Sequence, residues 1–524
     1  MVDLNNQHIL ILGLGASGLA MARWCAAQGA YVTVADTRSE PPQAAALLRD
    51  VPQARFIGGP LEAVLLQSKL QVFGGKPVVA VFKSPGLTPA AVAPVFEAAH
   101  TSGVAAGGEL SLFAGALQSL KAQQGYAPQV LAVTGTNGKT TVTSLTALLV
   151  QRAGLSVALA GNIGPSLLDT LAAHLARGDL PQVWVLELSS FQLEDAVQGQ
   201  SVDGFDPLAA CILNITQDHL DWHGSMSAYA AAKQKIFGPR TQRVLNRSDT
   251  VLQSLLVAPA GLGKSQRGRA AASAAPVCVR FGSDMPQHAG DFGLAVVNGV
   301  RWLVRAHPLD ETPRQRRQTT EELQIQHLMP ADALRIRGTH NALNALAALA
   351  LASTTGSALA PMLHALRDYR GEPHRVELVA VVADVQYVDD SKGTNVGATV
   401  AALQGLGEGQ KLIPILGGDG KGQDFSPLAE PVVRHARAVV LIGRDAPLIR
   451  AALTHTAVPL HDATNMEDAV KQAASLARTG DAVLLSPACA SFDMFRDYEH
   501  RAHAFRAAVA ELAREMAQPL EGVL

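Results

Sequence analysis

Val130-Leu131-Ala132-Val133-Thr134-Gly135-Thr136-Asn137-Gly138-Lys139-Thr140-Thr141 is an apolar run that breaks into a glycine- and lysine-bearing turn and then a helix-forming stretch. Strand, Gly-Lys-Thr loop and helix in that order make a phosphate cradle. Gly135 and Gly138 lack a Cβ, so the backbone can curl and aim its N–H groups at phosphate oxygens. Lys139 adds a point charge and Thr140 a hydroxyl suited to Mg2+. The helix predicted over residues 141–150 turns its positive end toward the same anion. The usual G-x-x-x-x-G-K-[ST] pattern fails at its first position, where Val133 stands, so this is a shorter variant recognised by the strand and helix around it.

Context separates this loop from look-alikes. Gly261-Leu262-Gly263-Lys264-Ser265 sits among Arg267, Arg269 and an alanine-rich run with no strong strand before it, and reads as a flexible insertion. Gly417-Gly418-Asp419-Gly420-Lys421 follows the apolar run 412–416 and is the more serious second candidate. A chain of 524 residues is too long for one core and suggests about three domains. Its formal charge of −2 offers no general attraction to nucleic acid or membrane surfaces, so partners have to be read from sites. Cys25, Cys211, Cys278 and Cys489 have neither metal-binding nor disulfide spacing and fit a reducing compartment. No apolar run has the length of a membrane span, and a cytoplasmic protein is expected.

Three α/β segments are expected, at residues 1–115, 116–371 and 372–524. The first opens with a strand and Gly13-Leu14-Gly15-Ala16-Ser17-Gly18, a full G-x-G-x-x-G, then a second strand closing on Asp36. Taken alone, this fingerprint predicts a Rossmann-like fold with Asp36 on the ribose of NAD; more broadly, it specifies a ligand bearing a nucleotide diphosphate. Strand 78–82 runs into Lys83-Ser84-Pro85-Gly86, which is either a loop at the same ligand edge or a plain turn. In the second segment, strand 183–186 ends at Glu187, where a magnesium ligand belongs in a domain with a phosphate loop; Ser189 or Ser190 can instead cap a helix there. Asp218, His219, Asp221 and His223 can be read as metal ligands, but their spacing is unspecific. Asn341 and Asn344 lie three apart at the start of the alanine-rich helix 340–352 and point toward a ligand. Stretches 254–276 and 306–330 read as insertions running over the solvated surface. The third segment has strands at 376–382, 385–388, 412–416, 438–442 and 482–485, alternating with helices and carrying polar residues at their ends.

In their joint order, Thr134 to Thr141, Gly161-Asn162-Ile163-Gly164, Glu187-Leu188-Ser189-Ser190-Phe191-Gln192-Leu193-Glu194, Asp218-His219, Pro373-His374-Arg375, Asp390-Ser391-Lys392-Gly393-Thr394-Asn395 and Ser486 to Ser491 resemble the Mur ligase superfamily over nearly the whole chain. The Ser-Ser-Phe-Gln-Leu-Glu and Asp-Ser-Lys-x-Thr-Asn blocks resemble its glutamate-adding branch. The resemblance implies an α/β protein of three domains: an N-terminal Rossmann-like UDP-binding domain, a central P-loop ATPase-type parallel-sheet domain and a C-terminal Rossmann-like domain for the amino acid. It implies that Gly15, Ala16, Ser17, Asp36, Thr37, Arg38, Ser84, Pro85 and Gly86 hold the UDP part of UDP-N-acetylmuramoyl-L-alanine, so the glycine fingerprint no longer argues for NAD. Gly135, Thr136, Asn137, Gly138, Lys139, Thr140 and Thr141 would take the phosphates of ATP, and Asn344, Arg375 and Asp390 match other ATP-holding residues. Asn162 and His219 match positions for the substrate and a second metal site. Lys233, which alone reads as a surface helical lysine, matches a lysine carbamylated in the family, and the implied metal set is Thr140, Glu187, His219 and Lys233 as carbamate. Lys392, Thr394, Lys421, Ser491 and Phe492 match the D-glutamate region, and Tyr498 takes a place resembling a phenylalanine position. Gly108-Glu109-Leu110-Ser111-Leu112-Phe113 departs from the family, which often carries an acidic residue where Ser111 stands.

The implied chemistry is ATP-dependent amide-bond formation with D-glutamate through an acyl phosphate, in peptidoglycan precursor synthesis. Lys139, Glu187, His219, Lys233, Lys392 and Lys421 are the catalytic candidates. Closure between domains is expected, because the ATP loop and the glutamate residues fall in different segments. An NAD-dependent oxidoreductase leaves residues 134–141 and the third segment unexplained, and a non-catalytic nucleotide-binding module would release no amino-acid-dependent ADP. A folylpolyglutamate synthase shares the phosphate loop, but the N-terminal nucleotide-binding segment argues against it. A monomer without nucleic-acid partners is expected.

Overall fold

Each glycine-rich turn sits where a strand of aliphatic and β-branched residues gives way to a helix, and the repetition of that unit builds three parallel or mostly parallel sheets. The computed structural model describes residues 4–62, 76–194, 204–256, 278–309 and 322–516. In the first sheet β1 (His8–Leu12), β2 (Tyr31–Asp36), β3 (Arg55–Gly58), β4 (Val78–Lys83) and β5 (Ala105–Gly108) are parallel in the order β3-β2-β1-β4-β5. All five residues of β1 are buried, as expected of a strand covered on both faces. Chain order reverses at β1, so the glycine turn that follows it lies at the switch point where such sheets bind ligands. A Cβ on Gly18 would fall 2.0 Å from the Gly13 carbonyl oxygen, so only glycine lets the helix Ala16–Ala27 press onto that turn.

The second sheet comprises β6 (Gln129–Thr134), β7 (Val157–Gly161), β8 (Val183–Glu187), β9 (Ala209–Ile212), β10 (Gln242–Asn246) and β11 (Cys278–Phe281), in the order β11-β10-β9-β6-β8-β7. All its pairings are parallel. Its switch point is β6, and the helix Lys139–Arg152 begins directly after the phosphate loop.

Two expectations need correction. Residues 306–330 are not a surface excursion throughout: β13 (Val300–Pro308) pairs antiparallel with β12 (Phe292–Val297) and β14 (Leu323–Pro330). The alternation Leu323-Gln324-Ile325-Gln326, half-buried then exposed, is a period-two strand signal that the arginines between 314 and 317 obscured. Residues 310–321, most of the 254–276 stretch and the Gly-Lys-Ser at 263–265 lie outside the described residues. The third α/β segment does not simply alternate strands with helices either. Its sheet runs β15-β16-β20-β17-β18-β19, from β15 (Glu377–Val382), β16 (Val385–Asp389), β17 (Leu412–Gly417), β18 (Val439–Ile442), β19 (Leu460–Asp462) and β20 (Ala482–Leu485). β15 and β16 form an antiparallel hairpin through Ala383 and Asp384, both in the left-handed region that matches strand twist in a two-residue turn.

The chain divides into two compact units. One comprises Met1–Asn214, Trp222–Phe281 and Ala347–Ala365; the other comprises Ile215–Asp221, Gly282–Leu346 and Leu366–Leu524. Among the described residues no helix is long and apolar enough to cross a membrane.

Candidate active site

In the first unit the phosphate loop is shaped by its backbone. Gly138 stands in the left-handed region at the head of the helix, and a Cβ on Gly135 would meet Leu213 Cβ at 2.9 Å. Lys139 Nζ donates to the carbonyls of Gly135 at 2.9 Å and Thr136 at 2.8 Å, folding over its own loop. Asn214, just beyond β9, clamps the loop. Its Oδ1 accepts from the Asn137 N–H, its Nδ2 donates to the Asn137 carbonyl, and its own carbonyl accepts from the Thr136 N–H. Lys233 is not a surface lysine. It is 1% exposed on the helix Met226–Gln234, with Nζ donating to Gly135 O at 2.9 Å and lying 4.5 Å above the Tyr229 ring. Tyr229, also buried, shares a hydrogen bond with Thr136 Oγ1. The alanines around Lys233 gave no sign of this, because its burial is created by the loop it meets.

Glu187 closes β8, paired across the sheet with Val133 of β6 and Gly161 of β7. It is 1% exposed; Oε1 accepts from Asn162 Nδ2 at 2.8 Å, while Oε2 is buried without a hydrogen-bond partner. A buried carboxylate oxygen left open is costly unless something of opposite charge meets it, and a hard divalent cation fits that donor. Thr140, buried at the head of the helix, offers a hydroxyl of the same hard-oxygen class. Ser189 caps the next helix in a reciprocal box with Gln192, so the cap and the carboxylate coexist rather than compete. The His223 ring stacks on Phe191, and its Nε2 pairs with Ser190.

At the first sheet's ligand edge, Asp36 is fully buried and spends its oxygens on four donors: the Leu14 N–H, the Arg38 N–H and two guanidinium nitrogens of Arg38. The Arg38 guanidinium holds its carboxyl down at about 2. Asp36 thus orders the glycine turn and presents the half-exposed Arg38. Ser84 is buried under the turn, its N–H on Leu12 O, with Pro85 and Gly86 reaching the surface.

The second unit gathers the loops after β16, β17 and β20. Lys392 Nζ lies 5.3 Å over the Tyr498 ring and Lys421 Nζ 6.0 Å over Phe492, which is 67% exposed. Gly417 and Gly418 are required by strand packing, since Cβ atoms there would strike Ile442 O and Ala490 O. No helix begins directly after Lys421, so this loop lacks the dipole of a phosphate cradle. Asp390 is buried, accepts from Ser486 Oγ at 2.6 Å, and burial pushes it up to about 7. Arg501, 1% exposed, ties two of these loops together by donating to Ser391 O and Cys489 O. Asn344 donates to Asn341, whose own Nδ2 caps the preceding turn at Arg337 O. His219, with φ 54°, and Asp218 belong to this unit, where Asp218 accepts from Asn395 Nδ2 at 3.2 Å.

Three domain families match the chain in order: Mur ligase MurD-like, N-terminal domain, at residues 7–108; Mur ligase middle domain at 133–263; and Mur ligase, glutamate ligase domain, at 374–489. UDP-N-acetylmuramoylalanine–D-glutamate ligase of Albidiferax ferrireducens is 62% identical over 522 residues, covering 100% of this chain and 99% of its own. The chain belongs to the Mur ligase family. A second relative, UDP-N-acetylmuramoylalanine–D-glutamate ligase of Burkholderia multivorans, is 56% identical and covers 98% of each chain. The Mur ligase fold is also seen in MurF ligase from Thermotoga maritima in complex with ADP, which superposes with a TM-score of 0.53 at 14% identity, covering 98% of this chain and 100% of that one. The three α/β domains expected from the sequence are those of a Mur ligase. Asn214, Tyr229 and Arg501 are site-shaping residues that sequence reasoning passed over; only Asn214, two positions past the end of the buried strand β9, carried a readable signal.

Proposed function

We propose that this Mur ligase joins D-glutamate to UDP-N-acetylmuramoyl-L-alanine at the expense of ATP, giving ADP and phosphate in peptidoglycan precursor synthesis. The observation that carries the reading is the open, buried Oε2 of Glu187 on the strand beside the phosphate loop, in a chain 62% identical over its length to a relative of that name. Residues 1–115 are assigned to the UDP substrate, 116–371 to ATP and 372–524 to the amino acid, and the reaction to a monomer in the cytoplasm.

A carboxylate is a poor acyl donor, so one oxygen of the L-alanyl carboxylate first attacks the γ-phosphorus of ATP, and the bond to the β-phosphate oxygen breaks to leave ADP. The N–H groups of Gly135 to Thr141 and the Lys139 ammonium orient the phosphates for in-line transfer. Glu187 and Thr140, with Lys233 as its carbamate and His219, are assigned to Mg2+, which when bound neutralises charge on the transferring phosphoryl group. Asn344, Arg375 and Asp390 hold the remainder of ATP. The amine of D-glutamate, held by Lys392, Thr394, Lys421, Ser491 and Phe492, then attacks the acyl carbon. The C–N bond forms, the C–O bond to phosphate breaks, and Lys392 and Lys421 offset the developing negative charge. Gly15, Ala16, Ser17, Arg38 and Ser84 to Gly86 hold the UDP portion, with Asp36 acting through Arg38, Asn162 completes the substrate set, and Thr37 follows the ligand edge.

The test is ADP release across a matrix of UDP-muramyl substrates and D-glutamate, L-glutamate, L-alanine and a diamino acid. ADP release is expected to require both UDP-N-acetylmuramoyl-L-alanine and D-glutamate. Preference for another amino acid overturns the proposal.

A further inference from the structure

Glu109 is buried, 2% exposed, and takes no part in the ligation chemistry. It is the first residue of the helix Glu109–Gln124, directly after β5. Its Oε1 accepts from the Leu168 N–H at 3.1 Å, in the first turn of the helix Leu167–Arg177, and its Oε2 has no hydrogen-bond partner. The hydroxyls of Ser17, in the first turn of Ala16–Ala27, and of Ser166, the cap of Leu167–Arg177, lie close enough to favour its charged form, though burial pushes its carboxyl upward against them. The first turns of three helices thus meet at one carboxylate, whose charge their N-terminal dipoles favour. Asp169 faces it as a like charge and is itself paired with Arg23 at 3.3 Å. An apolar side chain would pack three helices without the desolvation cost, so the carboxylate calls for another explanation.

The chain on either side supplies it. Ser17 belongs to the turn assigned to the substrate diphosphate. Ser166 follows the loop 161–165, closed by Gly161 N–H on Pro165 O, and this loop carries Asn162, whose side chain and backbone both bind Glu187. We propose that Glu109 is a positioning residue for ligation: by holding the Leu167–Arg177 helix against the Gly15–Ser17 turn, it sets the substrate diphosphate at a fixed place relative to the Glu187 carboxylate. The inference rests on the substrate assignment made above.

Steady-state kinetics of the full chain test it, with calorimetric titration of UDP as a readout independent of turnover. Glu109→Ala is expected to raise KM for the UDP substrate about tenfold or more, to weaken UDP binding in parallel, and to leave KM for ATP within about twofold. Glu109→Gln keeps an oxygen for Leu168 and is expected to stay within about threefold of the wild type. Equal changes in both KM values, a loss of kcat alone, or a Gln variant as impaired as the Ala variant would each overturn the proposal. If Glu109→Ala does not fold, Glu109→Asp, one methylene shorter, is read by the same criteria. A wild-type chain without D-glutamate-dependent ADP release would sink the reaction assigned above, and the UDP titration would then decide on Glu109 by itself.

Discussion

Asp390 shows how a single environment sets both chemistry and stability. Burial outweighs the hydrogen bond from Ser486 and the charge of Arg375, so its carboxyl titrates at about 7 rather than near the usual carboxylate value of about 4. A raised pKa means that the folded chain binds the proton more tightly than the unfolded one. The stability this gives is therefore complete below about pH 4 and is lost as pH rises through 7. Asp390→Asn, which cannot ionise, is expected to gain thermal stability relative to the wild type over that interval, by up to roughly 1.4 kcal/mol for each pH unit crossed. Melting curves of the two proteins that run parallel across that range would contradict this. At this scale the sequence was legible where chemistry coincides with a strand end. The places of Glu187 and Lys139 could be read from the sequence, because one closes an apolar run and the other follows a glycine turn at the head of a helix. Lys233 and Tyr229 could not. Their burial comes from a loop almost a hundred residues away, and nothing in Tyr229-Ala230-Ala231-Ala232-Lys233 encodes it.

The glycine turn of the first sheet is an element held by contact distances. Gly18 sits in a helix with ordinary backbone angles, yet the Gly13 carbonyl lies where its Cβ would be. Gly18→Ala must therefore push the helix Ala16–Ala27 off the turn that carries Gly15 to Ser17. The expected outcome is a loss of about 1–3 kcal/mol in stability and a drop in UDP affinity, with binding of an ATP analogue unchanged. Differential scanning and isothermal titration calorimetry measure the two parts; retention of UDP affinity would show that the turn does not need this packing. Parallel strands and their glycine turns were readable because they combine unbroken apolar runs with punctuation. The antiparallel strand β14 was not, since its half-buried alternation is weak beside the arginine-rich stretch that precedes it. The hairpin β15–β16 was hidden for another reason: its turn residues, Ala383 and Asp384, include no glycine or asparagine to announce left-handed backbone.

Across the whole molecule, the same construction appears three times, a switch point or strand edge with polar residues just past it. The first carries a turn ordered by Asp36 and Arg38, the second a phosphate loop with a buried carboxylate on the adjacent strand, and the third two lysines over aromatic rings. Their order along the chain was legible as a resemblance, while the acceptor's identity was not contained in the phosphate loop at all. The central claim is that ATP is spent on activating the substrate carboxylate. The most direct measurement is oxygen transfer, using UDP-N-acetylmuramoyl-L-alanine with 18O in both oxygens of the L-alanyl carboxylate, and mass analysis of the products after ligation to D-glutamate. Attack of a carboxylate oxygen on the γ-phosphorus, followed by C–O cleavage, is expected to leave one 18O in the released phosphate and the other in the new amide carbonyl. Amide formation with no 18O in the phosphate would contradict it.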